Sequence, residues 1–136
     1  MEKLFELNNK KVSLFVVQKP QLLAVFVEMS GDLTLDDFKQ FFPFMLKTLE
    51  EKKIYNIIYD LKNTNNIDIA ARAWYLTNYL PKMKVATGGK NKVVIINPKS
   101  IFLKSVLNVV QRSAELINLK SKIMYADNVE MAFNLL

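Results

Sequence analysis

The sequence predicts an α/β fold: a single mixed, mostly parallel sheet with a leading β-hairpin and about four helices. Three observations carry this. Two apolar, β-branched segments, Val12–Gln18 and Leu22–Met29, flank the short turn Lys19-Pro20-Gln21, as in an antiparallel hairpin. Further on, strand-length apolar runs alternate with segments of helical periodicity, which implies parallel strands joined by crossovers. The 136 residues, 51% hydrophobic and 24% charged, suit one domain over residues 1–136 that buries its own core.

Leu4–Leu7 reads as a short edge strand ahead of the hairpin. Ser30-Gly31-Asp32 breaks the strand pattern, and Thr34 then caps a helix whose first turn carries Asp36 and Asp37, acids favoured by the helix dipole. Leu35, Phe38, Phe42, Met45 and Leu49 form its apolar stripe, and Pro43 is expected to kink or divide it. Ile54–Leu61 reads as a buried central strand and Lys62–Asn66 as a polar loop. A second helix is predicted from Asp68 to Leu80, with Pro81 just beyond its end. Thr87–Lys90 is a loop and Lys92–Asn97 another buried strand. A third helix follows over Ser100–Ile117, its core face made of Leu103, Val106, Leu107, Val110, Ala114 and Ile117. Ser121–Tyr125 is the last strand and Asn128–Leu135 a short final helix.

The composition excludes whole chemistries. Without cysteine there is no disulfide, thiolate nucleophile or cysteine-held metal. Without histidine the usual general base near neutral pH is missing, along with the commonest transition-metal ligand. No run approaches the roughly 18 apolar residues of a membrane span, and the start lacks signal-peptide character, so the expected address is cytoplasmic. The net charge is +6, all of it in residues 82–136, where nine Lys/Arg face Glu115, Asp127 and Glu130. These lysines are scattered and form no continuous basic stripe. They read as a solvated face, without specific nucleic-acid binding.

Several motifs invite a chemical reading. Thr87-Gly88-Gly89-Lys90-Asn91-Lys92 has the residues of a phosphate loop, but it precedes a strand instead of opening a helix. Asp60 and Asp68 bracket a loop at the carboxyl end of a central strand, where ligands bind in α/β sheets. Two carboxylates without a third ligand make no metal site, and no cofactor motif is present. Trp74, Tyr75 and Tyr79 suit either the core or a ligand cleft. Phe102, Val109 and Leu116 recur every seven residues on a second apolar face of the third helix. That face meets either another part of the chain or a partner, a second copy included.

The order of elements and one loop resemble the STAS superfamily, the anti-sigma-factor-antagonist-like domains, and especially its divergent SpoIIAA-like branch. The resemblance runs from about Val12 to Leu136. In those domains a central strand ends in an aspartate, and a second aspartate eight positions on opens a helix with Asp-Ser-Ser-Gly. Here Tyr59-Asp60-Leu61 ends the strand and Asp68 stands at that offset, but Ile69, Ala70 and Ala71 replace the two serines and the glycine. The ending, with Lys122–Tyr125 and then Asp127-Asn128-Val129-Glu130-Met131-Ala132 opening the last helix, is also similar to the divergent branch. The resemblance implies a non-catalytic regulatory module. It would bind a protein partner through Asn63, Asn65, Asn66, Asp68, Ile69 and Arg72, without the phosphoserine switch, because neither Ile69 nor Ala70 has a hydroxyl. The alternative is an apolar or lipid-like small molecule held between sheet and helices near Trp74, Tyr75 and Phe102.

Overall fold

A computed structural model describes residues 1–116 and 122–136. Six strands form one sheet in chain order: β1 Glu2–Glu6, β2 Val12–Lys19, β3 Leu22–Leu33, β4 Asn56–Ile67, β5 Lys92–Ile96 and β6 Lys122–Ala126. β1, β2 and β3 pair antiparallel, and β3 to β6 pair parallel. The helices are α1 Leu35–Lys52, α2 Ile69–Trp74, α3 Leu80–Thr87, α4 Ile101–Leu116 and α5 Val129–Asn134. A π-helical turn, Tyr75–Tyr79, joins α2 to α3. The predicted mixed sheet and leading hairpin are therefore present. Ile117 and Ser121, expected at the ends of the third helix and the last strand, lie outside the described residues.

Side chains alternate across β4 and divide the core in two. Ile57, Tyr59 and Leu61 pack with α1 to α4 through Phe42, Met45, Met83 and Leu107. Ile58 packs on the other face with Phe26, Val94, Ile96 and Ala126, which Ala132 of α5 covers.

Two expected breaks are not breaks. Ser30-Gly31-Asp32 continues β3, and the supposed loop Lys62–Asn66 continues β4. Ser30 pairs with Asn63, Gly31 with Thr64, Asp32 with Asn66 and Leu33 with Ile67. Between Glu28 and Ser30, and again between Gly31 and Asp32, β4 advances one residue more than β3, which makes two bulges. The buried positions Leu61, Thr64 and Ile67 therefore fall three apart instead of two. Gly31 takes a left-handed φ of 74° beside the second bulge, a conformation open to glycine.

The second helix does not stop at Pro81 but runs on to Thr87. In the π turn the Leu80 N–H reaches back five residues to the Tyr75 carbonyl. That wider turn admits a proline that lacks the next donor. Pro43 likewise leaves α1 undivided. Its exposed ring faces solvent while Phe41 and Phe42 beside it are buried and hold the helix on the sheet.

Candidate functional site

β3 and β4 end side by side at Leu33 and Ile67, so α1 and α2 both begin at the carboxyl edge of the sheet. At the start of α1 the two cap residues are tied down from both sides. The Thr34 N–H donates to Asp37 Oδ2 at 3.0 Å and the Asp37 N–H donates to Thr34 Oγ1 at 3.2 Å, a reciprocal capping box. Asn9 Nδ2 adds a bond to Asp37 Oδ1 at 2.7 Å, and Lys11 Nζ an ion pair to Oδ2 at 2.9 Å. Burial pushes the Asp37 carboxyl upward, but Lys11, Thr34 and Asn9 outweigh it and hold it below its ordinary value.

The start of α2 is different. Asp68 occupies the cap position, yet its side chain makes no capping bond and is exposed. Ile69 follows in the first turn, 76% exposed. Asn63 and Asn65 lie exposed on the β4 extension, while Asn66 is half-buried with its amide oxygen unpartnered. Arg72 is half-buried, and its Nε donates to the Ile67 carbonyl at 3.0 Å. The six residues predicted for partner binding thus lie on one continuous stretch, a β-ribbon leading into a helix. Thr64, the nearest hydroxyl, is only 2% exposed, so it offers no accessible acceptor for a displaced phosphate.

The other predicted motifs are closed. Asp60 is buried and bound to Lys62, through the backbone N–H at 3.1 Å and Nζ at 2.8 Å. It alternates away from Tyr59 and Leu61, toward the α5 side. Among the described residues no group of three or more side chains could hold a metal. In the glycine loop, Gly88 ends α3 with φ 62°, and its N–H is spent on the Lys84 and Val85 carbonyls. Thr87 Oγ1 is engaged with the Met83 carbonyl at 2.8 Å and with Asn91 Oδ1 at 2.6 Å. The loop is a helix exit, with no amides aimed at an anion. No helix among the described residues is long and apolar enough to cross a membrane.

A cavity of about 100 Å³ lies between the sheet, α1, the α2–α3 segment and α4. Its walls are apolar: Met29, Phe42, Leu61, Met83, Ile95 and Leu107 are among them. Its polar groups are Tyr59, Tyr75, Arg72 and Gln111. The Tyr59 and Tyr75 hydroxyls meet at 3.3 Å. Burial pushes the Tyr75 hydroxyl up to about 12. Burial, with Tyr75 alongside, raises Tyr59 and Tyr79 well above their ordinary value. Tyr79 adds a buried hydroxyl without a partner among the described residues. Of the predicted cleft residues, Tyr75 lines the cavity; Trp74 packs half-buried against the core, and Phe102 points to solvent. Sequence reasoning missed Gln111. The one available signal was a polar side chain beside the core positions Val110 and Ala114.

Phe102, Val109 and Leu116 are 65%, 60% and 88% exposed, so none of the described residues covers this second face of α4.

No family model matches the sequence, and no curated protein matches it. Solved structures do. A DUF3478-family protein from Shewanella loihica with a SpoIIAA-like fold is 16% identical, with a TM-score of 0.63 over 92% of this chain and 93% of its own. The Bacillus cell fate determinant SpoIIAA in its phosphorylated form is 13% identical, with a TM-score of 0.58 over 90% and 97%. The anti-sigma factor antagonist SpoIIAA in its unphosphorylated form is 12% identical, with a TM-score of 0.56 over 86% and 90%. The chain therefore has a SpoIIAA-like fold.

Proposed function

We propose that this chain is a non-catalytic regulatory module that binds a protein partner through the surface from Asn63 to Arg72. The observation that carries this is Ile69, an apolar side chain 76% exposed in the first turn of α2, directly after the exposed Asp68 and on the same stretch as the exposed Asn63 and Asn65. An apolar anchor inside a polar rim is the usual anatomy of a contact surface. Support also comes from the fold, since one structure that shares it is an anti-sigma factor antagonist. With Ile69 and Ala70 at the family's acceptor positions, partner docking here does not depend on a phosphate at the helix start. The exposed Phe102, Val109 and Leu116 form a second contact face, for which another copy of this chain is the occupant to test first.

The test is affinity capture from the native host with the tagged chain, alongside Ile69→Arg and Val109→Glu. The expected result is a protein captured by the wild type and by Val109→Glu and lost with Ile69→Arg. Capture that ignores Ile69→Arg overturns the proposed surface. Sedimentation velocity on the same samples tests the α4 face. A dimer lost in Val109→Glu supports self-association, and a monomeric wild type at tens of micromolar excludes it.

A further inference from the structure

We propose that the cavity is a binding site for a small amphiphilic carboxylate, its apolar body inside the cavity and its carboxylate at the mouth on Arg72 and Gln111. The reading shares Arg72 with the proposed partner surface but otherwise concerns the interior behind α2, so ligand titration and partner capture test the two separately. The buried walls come from β3, β4, β5, α1, α3 and α4. The half-buried members of the lining, Arg72, Tyr75, Val110, Gln111 and Ile123, mark where it opens.

The groups at that opening select the ligand's end. Arg72 uses Nε on the Ile67 carbonyl, which leaves the two terminal guanidinium nitrogens as donors. Gln111 accepts from the Tyr125 hydroxyl through Oε1 at 2.6 Å, which fixes its amide nitrogen as a further donor. The Tyr75 hydroxyl stays protonated across the ordinary pH range. No aspartate or glutamate lines the cavity. The nearest acid at the Gln111 side is Glu115, one helical turn on and exposed, which acts on the Tyr125 hydroxyl from outside the lining. Arg72 brings the one charge within the lining, and its planar guanidinium fits a carboxylate. Size selects the body. An apolar cavity of about 150 Å³ in another protein takes a benzene ring. The space here, about 100 Å³, is smaller, so it suits a short aliphatic chain better than a ring, with the head reaching the mouth.

Hexanoate and phenylacetate are the probes, each compared with its alcohol, hexanol or phenylethyl alcohol. They are titrated into the full chain at neutral pH. Thermal unfolding and the fluorescence of Trp74, whose ring lies 6.4 Å from that of Phe42 in the cavity wall, report binding. At least one acid is expected to saturate and to bind about tenfold or more tightly than its alcohol. Arg72→Gln should bring that acid down to the alcohol's affinity, and Gln111→Leu should weaken the acid but not the alcohol. Ala114→Met, which fills the space, should abolish binding by both. Absence of saturable binding by either acid overturns the proposal. So does equal affinity for acid and alcohol, or binding that survives Ala114→Met. If Ala114→Met does not fold, the two mouth variants decide: an acid preference untouched by both overturns the proposed head-group site.

Discussion

The starts of α1 and α2 sit side by side on the same sheet edge, and the chain treats them in opposite ways. At α1 a threonine and an aspartate cap each other, and Asn9 and Lys11 arrive from the turn between β1 and β2 to close the remaining valences. At α2 an aspartate stands in the same role and caps nothing, with an isoleucine exposed beside it. The first corner spends its polar groups on the fold. The second leaves its groups available, and available groups at the end of a sheet are where a binding surface is found.

The sharpest way to break this comparison is to remove the two aspartates in turn. Asp37→Ala leaves the Thr34 N–H and the Asn9 amide without their acceptor and Lys11 without its counter-ion. A loss of about 2–3 kcal/mol is expected in urea unfolding, moderated because Lys11 is partly exposed. The pH dependence carries a sign. Because the Asp37 carboxyl is lowered in the fold, its stabilisation is present above its ordinary value, about pH 4, and is lost as pH falls through the lowered one. The gap between wild type and Asp37→Asn should therefore narrow in acid.

The tyrosines behind α2 give an effect at the opposite end of the pH scale. Their raised values mean that the unfolded chain releases protons first. Their contribution to stability is then constant below about pH 10 and falls above it, as Tyr75 is held protonated to about 12. Each such tyrosine costs about 1.4 kcal/mol per pH unit in that window. The tyrosinate absorbance of Tyr59, Tyr75 and Tyr79, taken apart from that of the exposed Tyr55 and the half-buried Tyr125, should rise together with unfolding and not before it. The smallest effect is expected at the second corner. Asp68→Ala should change stability by no more than about 0.5 kcal/mol, because no capping bond is lost. A loss near 1 kcal/mol would show that Asp68 caps α2 in solution and would erase the contrast.

Much of the fold was legible because local chemistry and tertiary structure agreed. The β2–β3 turn, the Thr34 cap and the apolar run Ile57–Leu61 each carry their own signal. The β4 extension was not legible because its order comes from β3. Lys62, Asn63, Asn65 and Asn66 look like a loop when read alone, and the bulges spread Leu61, Thr64 and Ile67 to a spacing that matches neither strand nor helix. For the same reason Asn63 and Asn65 were assigned to a loop, although they stand on a strand. That Phe102, Val109 and Leu116 share one face of α4 follows from helical spacing, but that the face is exposed does not. The cavity does not, since its walls gather residues from Met29 to Ile123 that no local pattern links.

The π turn at Tyr75–Tyr79 amounts to a one-residue insertion in an otherwise α-helical path. Removing one residue there would leave every downstream side chain about 100° out of phase. Met83 would turn away from the core and Thr87 away from Asn91, while the α2 surface upstream kept its orientation. The insertion thus works as a phase adjuster between two halves of one rod. The half that carries Ile69 and Arg72 thereby keeps its own rotation about the rod axis while the half that carries Met83 is seated in the core.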